Sequence, residues 1–97
     1  MLYLSEEDAR ALVGHETAFD AVREVFASIA RGDARNFAVV REELGHAGAV
    51  YGVKSGFDRA GRILGLKSGG YWPGNEREGR TNHQSTTLLF DADSGPP

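Results

Sequence analysis

The chemistry open to this chain centres on Lys67. It stands in Ile63-Leu-Gly-Leu-Lys-Ser-Gly-Gly-Tyr71, with glycine two residues before it and two after. On a strand, side chains alternate between faces, so Ile63, Gly65, Lys67, Gly69 and Tyr71 would share one face. The ammonium then has no walls from its own strand, and glycine inside a strand often marks the close approach of a ligand or another backbone. Lys67 is therefore either an exposed lysine on a glycine-rich hairpin or an ammonium that holds a carboxylate, with a pKa open to lowering by partial burial. Arg41, in Val39-Val-Arg-Glu-Glu43, presents a similar choice. It is a surface arginine paired with Glu42 or Glu43, which adds little stability, or a planar fork that grips a carboxylate. Spacing alone leaves both choices open.

Thr81-Asn82-His83-Gln84 gathers short hydrogen-bonding groups ahead of an apolar run. Such clusters usually cap turns. If a strand begins early, Asn82, Gln84 and Thr86 share a face and His83 points the other way, which speaks against a catalytic pair built on His83. His15, His46 and His83 are far apart and none has a partner at i+4, so a metal site has little support. There is no Gly-x-Gly-x-x-Gly, no P-loop and no nucleophile elbow.

These residues need elements to position them. Ser5-Glu6-Glu7-Asp8 predicts a helix start, with Ser5 as N-cap and acids in the first turn, and Gly14 predicts its stop. A longer helix is expected from about Glu16 to Arg31. Its apolar positions Ala18, Phe19, Val22, Val25, Phe26 and Ile29 form a core-facing stripe, and Gly32 ends it. From Asn36 the period becomes that of strands: Phe37 to Glu43, Ala49 to Lys54, Ile63 to Lys67 and Thr86 to Phe90. Gly45–Gly48 and Asp58–Gly61 supply turns. Trp72-Pro-Gly-Asn75 predicts a type II turn, with Gly74 at positive φ. Asp91–Gly95 predicts another turn and then a further strand, so the sheet is expected to be unfinished. No internal repeat is read from the sequence. The expected class is α+β, two N-terminal helices packed on a mainly antiparallel sheet.

Ninety-seven residues allow one small domain with a modest core. A net charge of −3, with acids and bases interspersed, provides no basic stripe for nucleic acid and no polybasic segment for lipid. The chain has no cysteine, so thiolate chemistry and disulfides are excluded. No signal peptide or membrane span is read, and a soluble cytoplasmic protein is expected.

Gly65-Leu-Lys67, then Pro73-Gly-Asn75, then Gly79-Arg-Thr-Asn-His-Gln84 and an apolar run ending in Phe90-Asp91 together resemble the ornithine cyclodeaminase/mu-crystallin family. Tyr3-Leu-Ser-Glu-Glu-Asp8, Asp20-Ala-Val-Arg-Glu-Val-Phe26 and Ala30-Arg-Gly32 look like its N-terminal segment, so the resemblance covers essentially the whole chain. It implies an NAD(P)-linked oxidoreductase of amino acids or cyclic imino acids, converting ornithine to proline and ammonia or reducing a ketimine. It also implies that Lys67 and Arg41 grip the substrate carboxylate. Asn82 falls where many members carry a threonine that touches the nicotinamide nucleotide, and Lys54 near a position that is often proline after methionine. By the same resemblance residues 1–97 are the N-terminal part of a substrate-binding and dimerisation domain. A second substrate-binding arginine, the catalytic aspartate and the dinucleotide-binding domain, which holds most of the NAD or NADP, lie outside it. The isolated chain is expected to be inactive, and the parent to be a homodimer or higher oligomer. The alternative is a free-standing binding or dimerisation module without catalysis.

Overall fold

The computed structural model describes residues 1–97. Helix α1 spans Glu6–Leu12 and starts as its sequence dictates. Ser5 Oγ accepts from the Asp8 amide at 3.1 Å while Asp8 Oδ2 accepts from the Ser5 amide at 2.8 Å, a reciprocal capping box. Gly14, read as a stop, is instead the N-cap of helix α2, His15–Ala30, with φ −91°, and the chain leaves α1 through an extended Val13. The end of α2 follows the sequence reading. Gly32 adopts φ +78°, its amide donates to the Ile29 carbonyl at 3.0 Å, and the Asp33 amide donates to the Ser28 carbonyl at 2.9 Å. Those paired bonds are a Schellman stop, which needs the left-handed conformation that glycine adopts without strain.

Five antiparallel strands follow: β1 Ala34–Asn36, β2 Val40–Glu43, β3 Val50–Asp58, β4 Ile63–Tyr71 and β5 His83–Phe90. The strand expected from Phe37 to Glu43 is thus two pieces, both on the same edge of β3. Asn36 lies opposite Gly56 and Val40 opposite Val53, so four steps on one side match three on the other. One residue is extra, as in a β-bulge. The ladders β3–β4 and β4–β5 are unbroken from Val50↔Tyr71 to Asp58↔Ile63 and from Leu64↔Phe90 to Tyr71↔His83. A turn does form at Trp72–Asn75, but Gly74 has φ −82°, not the positive φ of a type II turn. The chain runs on into a 3₁₀ turn, Asn75–Glu78, and Gly79 at φ +73° supplies the left-handed residue instead. Asp91–Gly95 is a turn as expected, closed by the Asp91 side chain accepting from Ser94 N and Ser94 Oγ, each at 2.8 Å.

The α+β class holds: two helices and a five-stranded antiparallel sheet. The packing is sparser than the sequence suggests. Helix α2 meets the sheet only at β1 and β3, and α1 meets no other element. The joint is polar. Ser28, buried on α2, donates from Oγ to Asp58 Oδ1 at 3.1 Å, and Arg59 donates to Asp33 Oδ1 at 2.6 Å. Hydrogen bonds from Arg59 and then Arg31 hold the Asp33 carboxyl below its ordinary 3.8. The stripe on α2 is not covered as expected: Phe19 and Phe26 are each 65% exposed. Only Ser28, Ala34 and Ala49 are buried. The surface of 8039 Å² exceeds the roughly 5,400 Å² of a compact monomer of this mass. The radius of gyration, 15.7 Å, likewise exceeds the roughly 12.5 Å of a compact domain of this length. No helix is long and apolar enough to cross a membrane.

Candidate functional site

The register of β3 against β4 stacks like residues on like. Gly56 faces Gly65, Lys54 faces Lys67, and Gly52 faces Gly69. The two runs are Gly52-Val-Lys-Ser-Gly56 and Gly65-Leu-Lys-Ser-Gly69, a doubled pattern that the sequence reading missed. The hairpin turn at Asp58–Gly61 brings them together antiparallel, lysine opposite lysine. These are the only lysines in the chain. The signal was present as a five-residue repeat, but its meaning depends on register, which spacing alone does not fix.

Arg41 joins this face from β2, opposite Gly52, and His83 and Tyr71 join it as facing partners on β5 and β4. Their rings meet edge-on, with centroids 4.8 Å apart. Arg41, Lys54, Lys67, Tyr71, His83 and Ser85 edge a concavity of about 400 Å³ whose floor includes Gly52 and Gly69. The glycine rungs are tight as well as open. A Cβ at Gly52 would lie 2.7 Å from the Val40 carbonyl oxygen, and one at Gly69 would run into the Gln84 carbonyl and lie 2.6 Å from the Cα of Ser85. Side chains are excluded there, so the backbone itself forms the bottom of the site.

Charge marks this place. Arg41, Lys54 and Lys67 are exposed, and none takes part in an ion pair. The pairing of Arg41 with Glu42 or Glu43 does not form, because alternation sends Glu42 to the opposite face and Glu43 extends one rung further along β2. Three cations without counter-ions around a glycine floor suit an anion, and the planar fork of Arg41 suits a carboxylate. Nowhere do three His, Cys, Asp or Glu side chains gather as a metal cluster would require.

Asn82 lies outside the concavity, at the foot of β5. Its Oδ1 accepts from the Glu76 amide at 2.9 Å and its Nδ2 donates to Tyr71 Oη over 3.4 Å. Thr81 accepts at both its carbonyl and its Oγ1 from Gln84 Nε2, each at 2.9 Å. This cluster therefore caps the 3₁₀ turn and fixes the start of β5. His83, which alternation set apart from Asn82 and Gln84, is on the lysine face. What spacing left undecided was the register that sets His83 opposite Tyr71 on the face of Lys67.

With its cation-edged, glycine-floored antiparallel sheet preceded by two helices, this chain is similar to the N-terminal segment of members of the ornithine cyclodeaminase/mu-crystallin family. One relative is iminosuccinate reductase of Paracoccus denitrificans (strain Pd 1222), 53% identical over 95 residues, which are 98% of this chain and 30% of that protein. The crystal structure of that reductase in complex with NAD+ superposes with a TM-score of 0.90 at 53% identity, covering 94% of this chain and 28% of that one. The Thermococcus litoralis Δ1-pyrroline-2-carboxylate reductase, in complex with NADH and L-proline, shares the fold with a TM-score of 0.95 at 22% identity, over 100% of this chain and 30% of that one. This chain thus spans about 30% of the length of these relatives. No family model matches it.

Proposed function

We propose that residues 1–97 are the substrate-gripping, N-terminal part of the substrate-binding and dimerisation domain of an NAD(H)-linked imino-acid reductase. The observation that carries this reading is the convergence of Arg41 and Lys67, neither paired with a carboxylate, on one concavity. In this reading the two cations hold the substrate carboxylate and so orient the adjacent C=N carbon. Reduction adds a hydride to that carbon and a proton to the nitrogen, giving the amino acid. NADH supplies the hydride when bound.

The residues present fit one margin of such a cofactor and no more. The sequence contains no Gly-x-Gly-x-x-Gly to cradle a pyrophosphate. Asn82, the cofactor-side residue of this proposal, keeps one Nδ2 hydrogen free after its bonds to Glu76 and Tyr71, so it can still donate to a nucleotide. The dinucleotide-binding portion is supplied by polypeptide outside residues 1–97, and the segment alone does not turn over substrate. The free edge of β5 and the 61% exposure of Leu89 support pairing of two copies.

The test is an NADH-oxidation assay on the polypeptide that carries this segment with its nucleotide-binding portion. Imines formed from 2-oxo acids and ammonia, and Δ1-pyrroline-2-carboxylate, serve as hydride acceptors. Imine-dependent oxidation that is lost in Lys67→Ala supports the reading. An activity indifferent to both Lys67→Ala and Arg41→Ala rules it out.

A further inference from the structure

The Lys54–Lys67 rung has no structural justification. Like charges directly opposite one another across a ladder destabilise it. The chain nevertheless places its only two lysines there, each between glycines, with no carboxylate close enough to pair with either. The acids on the same face are spent or distant. Asp58 lies four residues beyond Lys54 and is bonded to Ser28 and the Ala60 amide, and Glu43 sits beyond the Gly52 rung. Glu24 of α2 edges the groove at the helix-covered end, not the lysine concavity.

The two lysines also differ in their outer neighbours. Lys67 faces Thr87 on β5. On the other edge of β3, the ladder stops at Gly56 with β1 and resumes at Val53 with β2, so Lys54 falls beside the bulge and has no ladder partner there. Lys54 thus has a flank without a ladder partner, on the strand between Arg41 of β2 and Lys67 of β4. Arg41 is one rung away from the pair, opposite Gly52.

We propose that Lys54 is a specificity-determining residue that selects a second carboxylate. A short dicarboxylic imino acid lies across the β3–β4 hairpin, one carboxylate on Lys67 and Arg41 and the other on Lys54. This rests on the reading that Lys67 and Arg41 hold the carboxylate next to the imine. The approximate symmetry of the two Gly-x-Lys-Ser-Gly runs supplies two equivalent cationic posts, which suits a ligand with an anion at each end. A substrate with a cationic side chain, such as ornithine, would bring like charge to Lys54 and be rejected.

The experiment uses the polypeptide that carries this segment with its nucleotide-binding portion, or the Paracoccus reductase with residues 1–97 replacing its matching segment. NADH oxidation is followed with the dicarboxylic imine formed from oxaloacetate and ammonia, and with the monocarboxylic imine formed from 2-oxobutyrate and ammonia. Lys54→Met should lower kcat/KM for the dicarboxylic imine roughly 10- to 100-fold, the usual worth of a charge-assisted contact. It should leave the monocarboxylic imine unchanged or improved, which also shows that the variant is folded. Lys54→Arg should retain part of the preference. Lys67→Met should lower both substrates together. If Lys67→Met lowers both while Lys54→Met leaves their ratio unchanged, the proposal for Lys54 is overturned and the underlying reading survives. If Lys67→Met spares both, or the unmodified protein reduces neither imine, the underlying reading falls and this proposal with it.

Discussion

Arg41 and Lys67 occupy the same face of the sheet because a single extra residue is absorbed between β1 and β2. Asn36 is on that face opposite Gly56, and strict alternation would send Arg41, five residues on, to the other side. The bulge restores the parity, so Arg41 arrives opposite Gly52. Two cations drawn from strands that are not neighbours thereby edge one concavity.

Under the proposed function, Lys67→Ala in the polypeptide that joins this segment to a nucleotide-binding portion should lower kcat/KM by roughly one to two powers of ten, the loss of a charge-assisted contact worth about 1.5–3 kcal/mol. Lys67→Arg should restore part of it, because a wide planar fork replaces a compact charge. The urea midpoint of Lys67→Ala should not fall below the parent's, since the Lys67 side chain makes no ion pair and its removal relieves the like charge opposite Lys54. Steady-state kinetics beside denaturation curves check this, and an unchanged kcat/KM in Lys67→Ala would falsify the site assignment.

Gly69→Ala should destabilise the sheet by about 1–3 kcal/mol, as overpacking does. The added methyl would be 2.6 Å from Ser85 Cα and would force β4 and β5 apart. Gly74→Ala, where a Cβ meets nothing within 4 Å and φ is −82°, is the control and should cost little. Equilibrium urea unfolding distinguishes the two.

Asp33 carries the acid sensitivity of the helix–sheet joint. Its folded pKa lies below 3.8 because Arg59, and then Arg31, hydrogen-bond its carboxylate. A depressed folded pKa contributes stability above the unfolded value, and that contribution is lost as pH falls through the folded one. Asp33→Asn should therefore be less stable than the parent at neutral pH, with the difference closing below pH 3.8. Unfolding midpoints measured from pH 7 to pH 2 would show this convergence, and a gap constant across that range would exclude it.

The helices, their caps and the antiparallel sheet were legible because each rests on local chemistry. Ser5 with Asp8 and the Gly32 stop follow from neighbouring residues alone. Lys67 and Arg41 were legible as residue types, but their meeting depends on a bulge that no spacing rule counts. Lys54 and His83 were not assigned to the site because their neighbours depend on which rung meets which. The exposed α2 stripe was misread because amphipathicity predicts that a face will be covered and is silent about what covers it. Val25 and Ile29 reach toward the sheet end, while Phe19 and Phe26 project away from it.

The segment should also self-associate. With β5 unpaired along one edge and Leu89 61% exposed, sedimentation at micromolar concentration is expected to give dimers or larger species. A stable monomer at high micromolar concentration would count against the dimerisation role.

The opposed lysines make the fold itself respond to its surroundings. Most exposed ion pairs weaken as salt is added, but a like-charged rung is relieved by screening. Added chloride should therefore relieve this rung while it weakens the Asp33–Arg59 and Asp33–Arg31 pairs of the helix–sheet joint. An anion that bridges Lys54 and Lys67 goes further, since binding only the folded sheet adds about 2.7 kcal/mol at one hundred times its dissociation constant. The bridged rung would then turn from a liability of the bare hairpin into a ligand-dependent clasp.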